Sequence, residues 1–343
     1  MPGVMSAPRA PRKSHAPLWI AKTLVTTGLL VWLARHVDLD QAVAGLQKLG
    51  YPVFALALAT HALAFLGMTL RWWLLLRQEL PNIPWRRVFP SYYLGVFFNL
   101  VLPSGFGGDA ARTVHLGWAG LRLAPLINSL ILDRAVGLLT ILLMGCAAVW
   151  FAPPEAFGVA ARQATTLTAI ALLAGLGVYF TRWPAAVIAR LGTRVRSKTM
   201  RALVDTLLAC CAPGARPLQF LGIVAISLVA QLLVVAVYVL LGDALGIPLA
   251  VESYLSVLPL VFLVSALPIS IGGLGVRESA LVTLLAALNV APSQAAALSL
   301  AYLLVLWAAS LPGAAVMLKR PASPGKNEIS EHDRTNAPDS RTL

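Results

Sequence analysis

Two segments of the chain share one spacing of proline, glycine and arginine, and these residue types together can bind an anion. Each has a proline, three other residues, a glycine pair, three more residues and an arginine; the segments are Pro103–Arg112 and Pro268–Arg277. Proline ends a helix, and a glycine pair lets the backbone turn tightly before a new helix begins. The free N–H groups of that helix attract an anion, and the arginine adds a charge with bidentate geometry for phosphate. Two unrelated helix breaks are the simpler alternative.

Acidic and basic residues also lie inside apolar surroundings near these motifs. Asp109 follows the first glycine pair, where it can cap the new helix, bind a cation or proton, or pair with Arg112. Asp133 and Arg134 are adjacent, and adjacent residues of a helix lie about 100° apart around its axis, so we expect each to pair with another element. Glu278 follows the second motif arginine. For all of these, a structural ion-pair network is the alternative to a binding role.

Three further residues have chemistry to explain. Asn99, one turn before Pro103, can hydrogen-bond to freed backbone groups or to a ligand. Arg71 precedes two tryptophans, which is typical of an aromatic belt at a membrane interface, although it can instead guard a lateral entrance. His61 is a lone histidine in an apolar segment, which favours a hydrogen-bonded interior residue over a proton relay. The sequence has no zinc-ligand spacing, Walker loop or nucleophile elbow, so we expect no cofactor.

Membrane-spanning helices must position these residues, because the composition excludes a soluble domain. Of 343 residues, 58% are hydrophobic and 12% are charged, which is too little polar content to cover a soluble globule. The formal net charge of +13 comes from Lys and Arg in short segments between apolar runs, which is typical of cytoplasmic loops and not of a nucleic-acid-binding surface. The predicted class is an all-α polytopic membrane protein with no nucleic-acid partner.

Apolar runs long enough to cross a hydrocarbon layer of about 30 Å predict six full spans. These runs are about 18–36, 51–70, 123–150, 164–181, 217–241 and 294–318. Two shorter runs, about 88–102 and 254–267, stop at the motif prolines and are too short to cross alone. A glycine motif and a second short apolar leg follow each, so we predict two re-entrant helical hairpins, at about 88–122 and 254–289. Six spans with two amphipathic surface helices are the alternative.

Loop charges predict that the two hairpins enter the membrane from opposite faces. The positive-inside rule places the basic N-terminus, the segment 71–87 and the basic loop 182–201 in the cytoplasm. The segment 242–253 has acidic residues but no Lys or Arg and is placed outside. The order span, span, hairpin, span then occurs in 18–150 and again, reversed in direction, in 164–318. This layout is an inverted-topology repeat, in which paired helix breaks mark a carrier's binding site.

The predicted organisation has two membrane repeats with polar segments around them. In chain order, it comprises a basic cytoplasmic N-terminus at 1–17, a first repeat at 18–150, an outer loop at 151–163, a second repeat at 164–318 that includes a cytoplasmic basic loop at 182–216, and a cytoplasmic tail at 319–343. The tail is rich in Pro, Ser, Asn and charged residues, which predicts disorder.

Together the motifs resemble those of the lysylphosphatidylglycerol synthase transmembrane-domain family, also called flippase-like membrane proteins. The resemblance covers about residues 15–320 and rests on Asn99-x3-Pro103-x3-Gly107-Gly108-Asp109-x2-Arg112, then Asp133-Arg134, then Pro268-x3-Gly272-Gly273-Leu-Gly275-Val-Arg277-Glu278. It implies a bacterial inner-membrane protein with cytoplasmic termini whose fold moves a lipid between leaflets. In the founding member, the domain flips an aminoacylated phosphatidylglycerol made by a fused cytosolic synthase, which we expect to be absent here. Where the family commonly has Glu-Arg in the third span, this chain has an aspartate, which is shorter by one methylene.

We therefore predict a lipid flippase or translocase and no enzymatic activity. A polar headgroup, with phosphate favoured, is expected to cross through a central cavity that Arg112 and Arg277 both face, while the halves rock and the tails stay in the bilayer. The resemblance implies an aminoacylated phospholipid, a polyprenyl-linked glycan or a hopanoid-type lipid as substrate. The residues predicted to bind the headgroup are Asn99, Pro103, Gly107, Gly108, Asp109, Arg112, Asp133, Arg134, Pro268, Gly272, Gly273, Gly275, Arg277 and Glu278, with Arg71 at an interfacial entrance.

Two other functions remain open at this point. One is a membrane enzyme that acts on a lipid-phosphate or lipid-linked sugar, with Asp109 or Glu278 as general base. The other is an accessory subunit that docks a separate lipid-synthesis enzyme at the loop 182–201.

Overall fold

The fold is taken from a computed structural model that describes most of the membrane portion of the chain. The described residues are 24, 26–29, 31–32, 35, 37–47, 49–102, 107–151, 159–179, 186–187, 189–190, 217–265, 270 and 273–318. The predicted N-terminal segment 1–17, the tail 319–343, and nearly all of the basic loop 182–216 lie outside them. So does most of the predicted outer loop 151–163.

The regular structure within these residues is helical and contains no strand, which confirms the predicted all-α class. The helices are α1 (Leu39–Gln47), α2 (Tyr51–Glu79), α3 (Trp85–Val101), α4 (Gly107–Trp118), α5 (Leu123–Phe151), α6 (Val159–Tyr179), α7 (Pro217–Ala244), α8 (Val251–Ser265), α9 (Val276–Ala286) and α10 (Pro292–Leu318).

Four of these helices are long and apolar enough to cross a membrane, and the chain is therefore a multi-pass membrane protein. They are α2, α5, α7 and α10, and they coincide with four of the six predicted spans. The helix over the predicted span 164–181 is not among them, and the predicted span 18–36 falls largely outside the described residues. The prediction of six spans is thus confirmed for four helices only.

Four shorter helices cover the two predicted hairpins. α3 and α4 have 17 and 12 residues, and α8 and α9 have 15 and 11 residues. At 1.5 Å per residue none is longer than about 26 Å, which is short of the hydrocarbon thickness. The first leg of each pair ends just before the motif proline, at Val101 and Ser265, because proline cannot continue a helix and disfavours it one residue earlier.

Helices of the two predicted repeats interleave. α2 packs along α7, α3 packs on α10, and α8 packs on α5. The contact between α3 and α10 is close: a Cβ on Gly313 would lie 2.1 Å from the backbone oxygen of Tyr93, so only glycine fits there. The largest apolar core forms where α7, α8, α9 and α10 meet, around buried side chains such as Leu241, Leu258 and Leu281. Each half therefore depends on the other for burial.

Candidate functional site

A cavity of about 420 Å³ is enclosed by α2, α3, α4, α5 and α7. Its wall contains five of the predicted headgroup residues and is charged. The lining residues are Met68, Arg71, Tyr92, Gly95, Val96, Asn99, Asp109, Arg112, Asp133, Arg134, Gly137, Leu138, Ile141 and Gln231. Because α7 contributes Gln231, the cavity is completed by the second half of the chain.

Asp133 holds two arginines that come from different helices. The Nε of Arg71 donates to Asp133 Oδ1 at 2.8 Å, and the Nη2 of Arg112 donates to Oδ2 at 3.1 Å. The Asp133 side chain is only 5% exposed, so these pairs are shielded from water. Arg71 also donates to Ser227 Oγ at 2.7 Å, and Ser227 Oγ is 3.0 Å from Thr140 Oγ1. This network ties α2 to both α5 and α7, and it agrees with the expectation that Asp133 pairs outside its own helix.

Asp109 makes the other two ion pairs of the cavity wall, with Arg112 and with Arg134. Its Oδ1 accepts from Arg112 Nη2 at 2.8 Å, and its Oδ2 accepts from Arg134 Nε at 2.9 Å and Nη2 at 2.7 Å. Pairing with Arg112 is one of the roles predicted for Asp109. The side chain of Arg134 is 50% exposed, whereas that of Arg112 is 5% exposed. Of these two cations, Arg134 is the one that a ligand reaches first.

The charges of the cavity wall do not balance. Three arginines and two aspartates line it, which leaves one positive charge in excess. The Cζ of Arg112 lies 4.4 Å from the ring centroid of Trp72 and 5.4 Å from that of Tyr92, so its faces are covered by aromatic rings. Its Nε is buried and has no hydrogen-bond partner in the described part of the chain. An excess cation and an unused N–H donor in a low-dielectric site both favour an anion.

A close approach of α3 and α4 positions Asp109 and Arg112 in the wall. A Cβ on Gly108 would lie 2.0 Å from the backbone oxygen of Gly95, so the two helices touch through their backbones. The N–H of Gly108 donates to Asn99 Oδ1 at 2.9 Å. Asn99 thus binds a freed backbone group, one of its two predicted roles, while it also lines the cavity.

The second motif builds a buried ion pair of its own. Gly273 and Gly275 have φ of 79° and 80°, a left-handed conformation that favours glycine. The N–H of Gly275 donates to Glu278 Oε2 at 2.6 Å and caps α9. The Nη2 and Nε of Arg277 donate to Glu278 Oε1 at 2.6 and 3.2 Å. The two side chains are 11% and 4% exposed, so the pair is held inside the protein and formally neutral.

Two tyrosines and a histidine surround that ion pair. The Cζ of Arg277 lies 5.3 Å from the ring centroid of Tyr302, which stacks on Tyr238 at 4.2 Å. The ring of His61 meets the Tyr302 ring edge-on at 5.5 Å. His61 is 1% exposed, and neither of its ring nitrogens has a hydrogen-bond partner among the described residues. We call His61, Tyr238, Arg277, Glu278 and Tyr302 the second centre.

The cavity and the second centre lie at different levels of the bundle. Arg71 in the cavity wall and His61 in the second centre are ten residues apart on α2, or about 15 Å along its axis. Arg277 is not among the residues that line the cavity. The sequence analysis expected Arg112 and Arg277 to face one cavity. In the structure Arg112 lines this cavity and Arg277 does not. Each motif arginine pairs with acids of its own half, and each half holds its own charges.

The remaining predicted residues have different placements. Gly107 begins α4 and is buried, while Pro103, Pro268 and Gly272 lie outside the described residues. Arg71 is 6% exposed and lines the cavity, so it is not an exposed lipid anchor of an aromatic belt, and its role at an entrance stays a prediction. The carboxylate of Asp133 balances its charge and makes that burial tolerable.

Four residues that line the cavity or contact its arginines were missed by the sequence reasoning or given other roles. Trp72, interpreted as part of an interfacial belt, is fully buried and donates to Ser129 Oγ at 3.2 Å. Tyr92 lines the cavity, as does Gln231, and Ser227 holds Arg71. Ser227 and Gln231 lie four residues apart on one face of an apolar span. That polar pair is a signal from which α7 could have been assigned to the wall.

Comparison with known protein families gives one match that covers most of the chain. The family model described as the lysylphosphatidylglycerol synthase TM region matches residues 19–313. The match includes every helix that lines the cavity and every residue of the second centre. No curated protein matches the chain.

Proposed function

Because the chain belongs to the lysylphosphatidylglycerol synthase TM region family, we propose that it carries a phosphate-bearing lipid headgroup between membrane leaflets and that it is a transporter, not an enzyme. The family and the membrane-spanning helices support a role in lipid handling in a membrane. The proposed location is a bacterial inner membrane, with both termini in the cytoplasm.

The observation that carries the proposal is the single excess positive charge in the wall of the cavity. A volume of about 420 Å³ is within the range of about 300–1,000 Å³ that small-molecule sites have. Its lining combines arginine N–H donors and the amides of Asn99 and Gln231 with two aspartates and with apolar side chains. A phosphate monoester or diester offers the anionic oxygens that arginines bind bidentately, and its acyl or prenyl tails can remain in the bilayer.

Arg134 is the proposed first contact for the headgroup. It is half exposed, and its guanidinium is held by Asp109 through one carboxylate oxygen. A phosphate that displaces Asp109 from Arg134 leaves that aspartate paired with Arg112, so no buried acid becomes unpaired. The exchange of one anion for another costs less than creating a charge in a site without water.

Hairpins that enter from opposite faces would give the headgroup access from both sides. Short helices on both motifs, with the legs α3 and α4 packed through Gly95 and Gly108, support a chain that turns back inside the membrane. Two contacts join a short helix of one half to a long helix of the other, α3 on α10 and α8 on α5, and they support an inverted repeat. In this scheme two groups of helices, each drawn from both halves, rock about the paired helices α2 and α7.

The test is lipid exchange in vesicles by the purified full-length protein. Fluorescent lipids that differ only in headgroup are reconstituted with it, and the rate at which each crosses is compared with the rate in protein-free vesicles. The Arg134→Gln substitution is expected to slow exchange by roughly 10- to 100-fold, because a charge-assisted hydrogen bond contributes about 1.5–3 kcal/mol.

Arg77→Gln is the matched control. Arg77 is also on a spanning helix, but it is exposed and lies 4.8 Å from the Trp73 ring, outside the cavity lining. Its exchange rate should equal that of the unmodified protein. If no headgroup class crosses faster than in protein-free vesicles, the proposal of lipid transport is wrong. Product formation from a lipid-linked sugar would instead support an enzyme.

A further inference from the structure

We propose that the second centre is a proton-dependent anion site, in which the phosphate of a lipid headgroup binds at Arg277 and His61 takes up a proton together with it. The inference rests on the proposed lipid transport and names what drives it. The proton comes from water on one side, adds to the lone-pair nitrogen of the imidazole, and is released on the other side as the headgroup leaves.

The first support is the state of His61. A neutral imidazole has one N–H donor and one acceptor nitrogen, and buried groups of this kind are nearly always hydrogen-bonded. Both nitrogens of His61 are buried without a partner in the part of the chain that the structure describes. The hydroxyl of Tyr238, which belongs to the second centre, is also buried and unpartnered there. A site with this many unused groups is prepared for a polar ligand.

The second support is the charge balance. Arg277 and Glu278 neutralise each other, so the second centre has a formal charge of zero when His61 is neutral. One proton raises it to +1, which equals the excess in the cavity wall. A buried positive charge needs an anion beside it. The cavity is therefore ready for an anionic headgroup at any proton concentration, whereas the second centre accepts one only with a proton.

The groups that face His61 from the surrounding helices are consistent with this role. α9 contributes Arg277, whose positive charge opposes a second positive charge on His61 until a phosphate neutralises it, together with its partner Glu278. α10 contributes Tyr302 and α7 contributes Tyr238, which stacks on it. From α3, Tyr93 lies one helical turn away, against Phe65. Glu278 is thus the acid of this set, and it can balance His61 if the phosphate takes Arg277.

The two sites lie at different depths in the membrane, so a headgroup that passes from one to the other moves across it. His61 and Arg71 lie about 15 Å apart along α2, with the cavity nearer the proposed cytoplasmic end. A headgroup that moves between the two sites crosses much of the hydrocarbon layer of about 30 Å. One proton travels with one monoanionic headgroup, so the loaded site carries no added net charge. Transport should follow a pH gradient and ignore a membrane potential.

The experiment uses the full chain in phosphatidylcholine vesicles that contain a trace of fluorescent phosphatidylglycerol. With a gradient of one pH unit, the tracer should accumulate about tenfold in the leaflet that faces the alkaline side, since one pH unit is a tenfold difference in proton activity. A potassium diffusion potential without a pH gradient should produce no accumulation. His61→Gln and His61→Phe, the second of which keeps an aromatic ring, should reduce the ratio to about one.

His115→Gln is the matched control, because His115 bonds Ser91 outside both sites, and it should keep the tenfold ratio. In detergent, short-chain phosphatidylglycerol should cause proton uptake by the unmodified protein but not by His61→Gln, a readout that does not depend on transport. Exchange of the tracer that is equal with and without the gradient overturns the proton site and leaves the transport proposal standing. Absence of exchange at every pH overturns both.

Discussion

At the scale of single residues, Asp133 is the position on which the cavity wall depends. Its two carboxylate oxygens serve Arg71 and Arg112 separately, and all three side chains are buried. Burying two guanidinium groups is tolerable only while a carboxylate lies between them. A headgroup bound as proposed would meet a wall whose own charges are already strongly constrained.

Replacing Asp133 with Asn should destabilise the protein strongly. The change removes one negative charge from between two buried arginines, and breaking a buried ion pair typically costs about 3–5 kcal/mol. Thermal unfolding in detergent should occur at a clearly lower temperature. Asp40→Asn, at an exposed position of α1, should leave the midpoint unchanged. Equal midpoints for the two variants would mean that the Asp133 contacts contribute little.

The residues of the site could be predicted from sequence only where charge made them conspicuous. Asp109, Asp133 and Arg134 stood out as ionisable groups in apolar runs, and all three line the cavity. Arg71 was assigned to an interface because its neighbours in sequence are tryptophans, whereas its partner Asp133 is 62 residues away. A contact between distant spans leaves no local pattern.

At the scale of elements, the geometry of the cavity depends on how closely α3 and α4 approach. Gly95 and Gly108 bring the two backbones into contact, and the next residue after Gly108 is the aspartate that holds Arg134. A shift of either helix therefore moves the ligand-facing cation. The same glycine motif that ends one helix and begins another thus also fixes their separation.

Gly108→Ala should destabilise the protein and slow lipid exchange together. The added Cβ would lie 2.0 Å from the Gly95 oxygen, and backbone cannot yield as a flexible side chain does, so a cost of about 1–3 kcal/mol is expected. Gly222→Ala on α7 is the control, because nothing lies within 4 Å of its Cβ. There alanine should be neutral or stabilising, since it favours helix by about 1 kcal/mol. The measurement is the thermal unfolding midpoint of each variant. A Gly108→Ala midpoint equal to that of Gly222→Ala would contradict the close packing of α3 and α4.

The positions of the helices could largely be predicted from the sequence, but the number of helices that cross the membrane could not. Length and apolarity predicted the helices α2, α5, α7 and α10, and proline predicted where α3 and α8 stop. These are local properties of the chain. Whether a short helix crosses, turns back or lies on the surface depends on its partners and on the bilayer, which no window of residues contains.

At the scale of the whole molecule, the halves interleave through α3 on α10 and α8 on α5. A rocking motion that follows the sequence repeats alone would pull these contacts apart. The moving units are therefore expected to combine helices of both halves. In the proposed inverted repeat, a short helix of each half packs on a long helix of the other half.

The proposed re-entrant hairpins make a definite topology prediction. In a variant with Cys146, Cys210 and Cys211 changed to serine, single cysteines are placed at exposed positions that flank each pair of short helices. Asn82→Cys and Arg122→Cys should both react with a membrane-impermeant thiol reagent from the cytoplasmic face, and Asp243→Cys and Ala287→Cys should both react from outside. Labelling of one pair from two different faces would mean that those helices cross.

The five charges of the cavity wall all belong to residues 71–134, and this matters for biosynthesis. When α2 to α5 have been inserted, every arginine of the wall has an aspartate partner within these helices. An unpaired charge at mid-membrane costs about 2.5–3.5 kcal/mol, so the nascent chain can pair these side chains and leave one positive charge in excess before α7 is translated. What the ribosome adds later, Ser227 and Gln231, is uncharged and enters the bilayer at little cost.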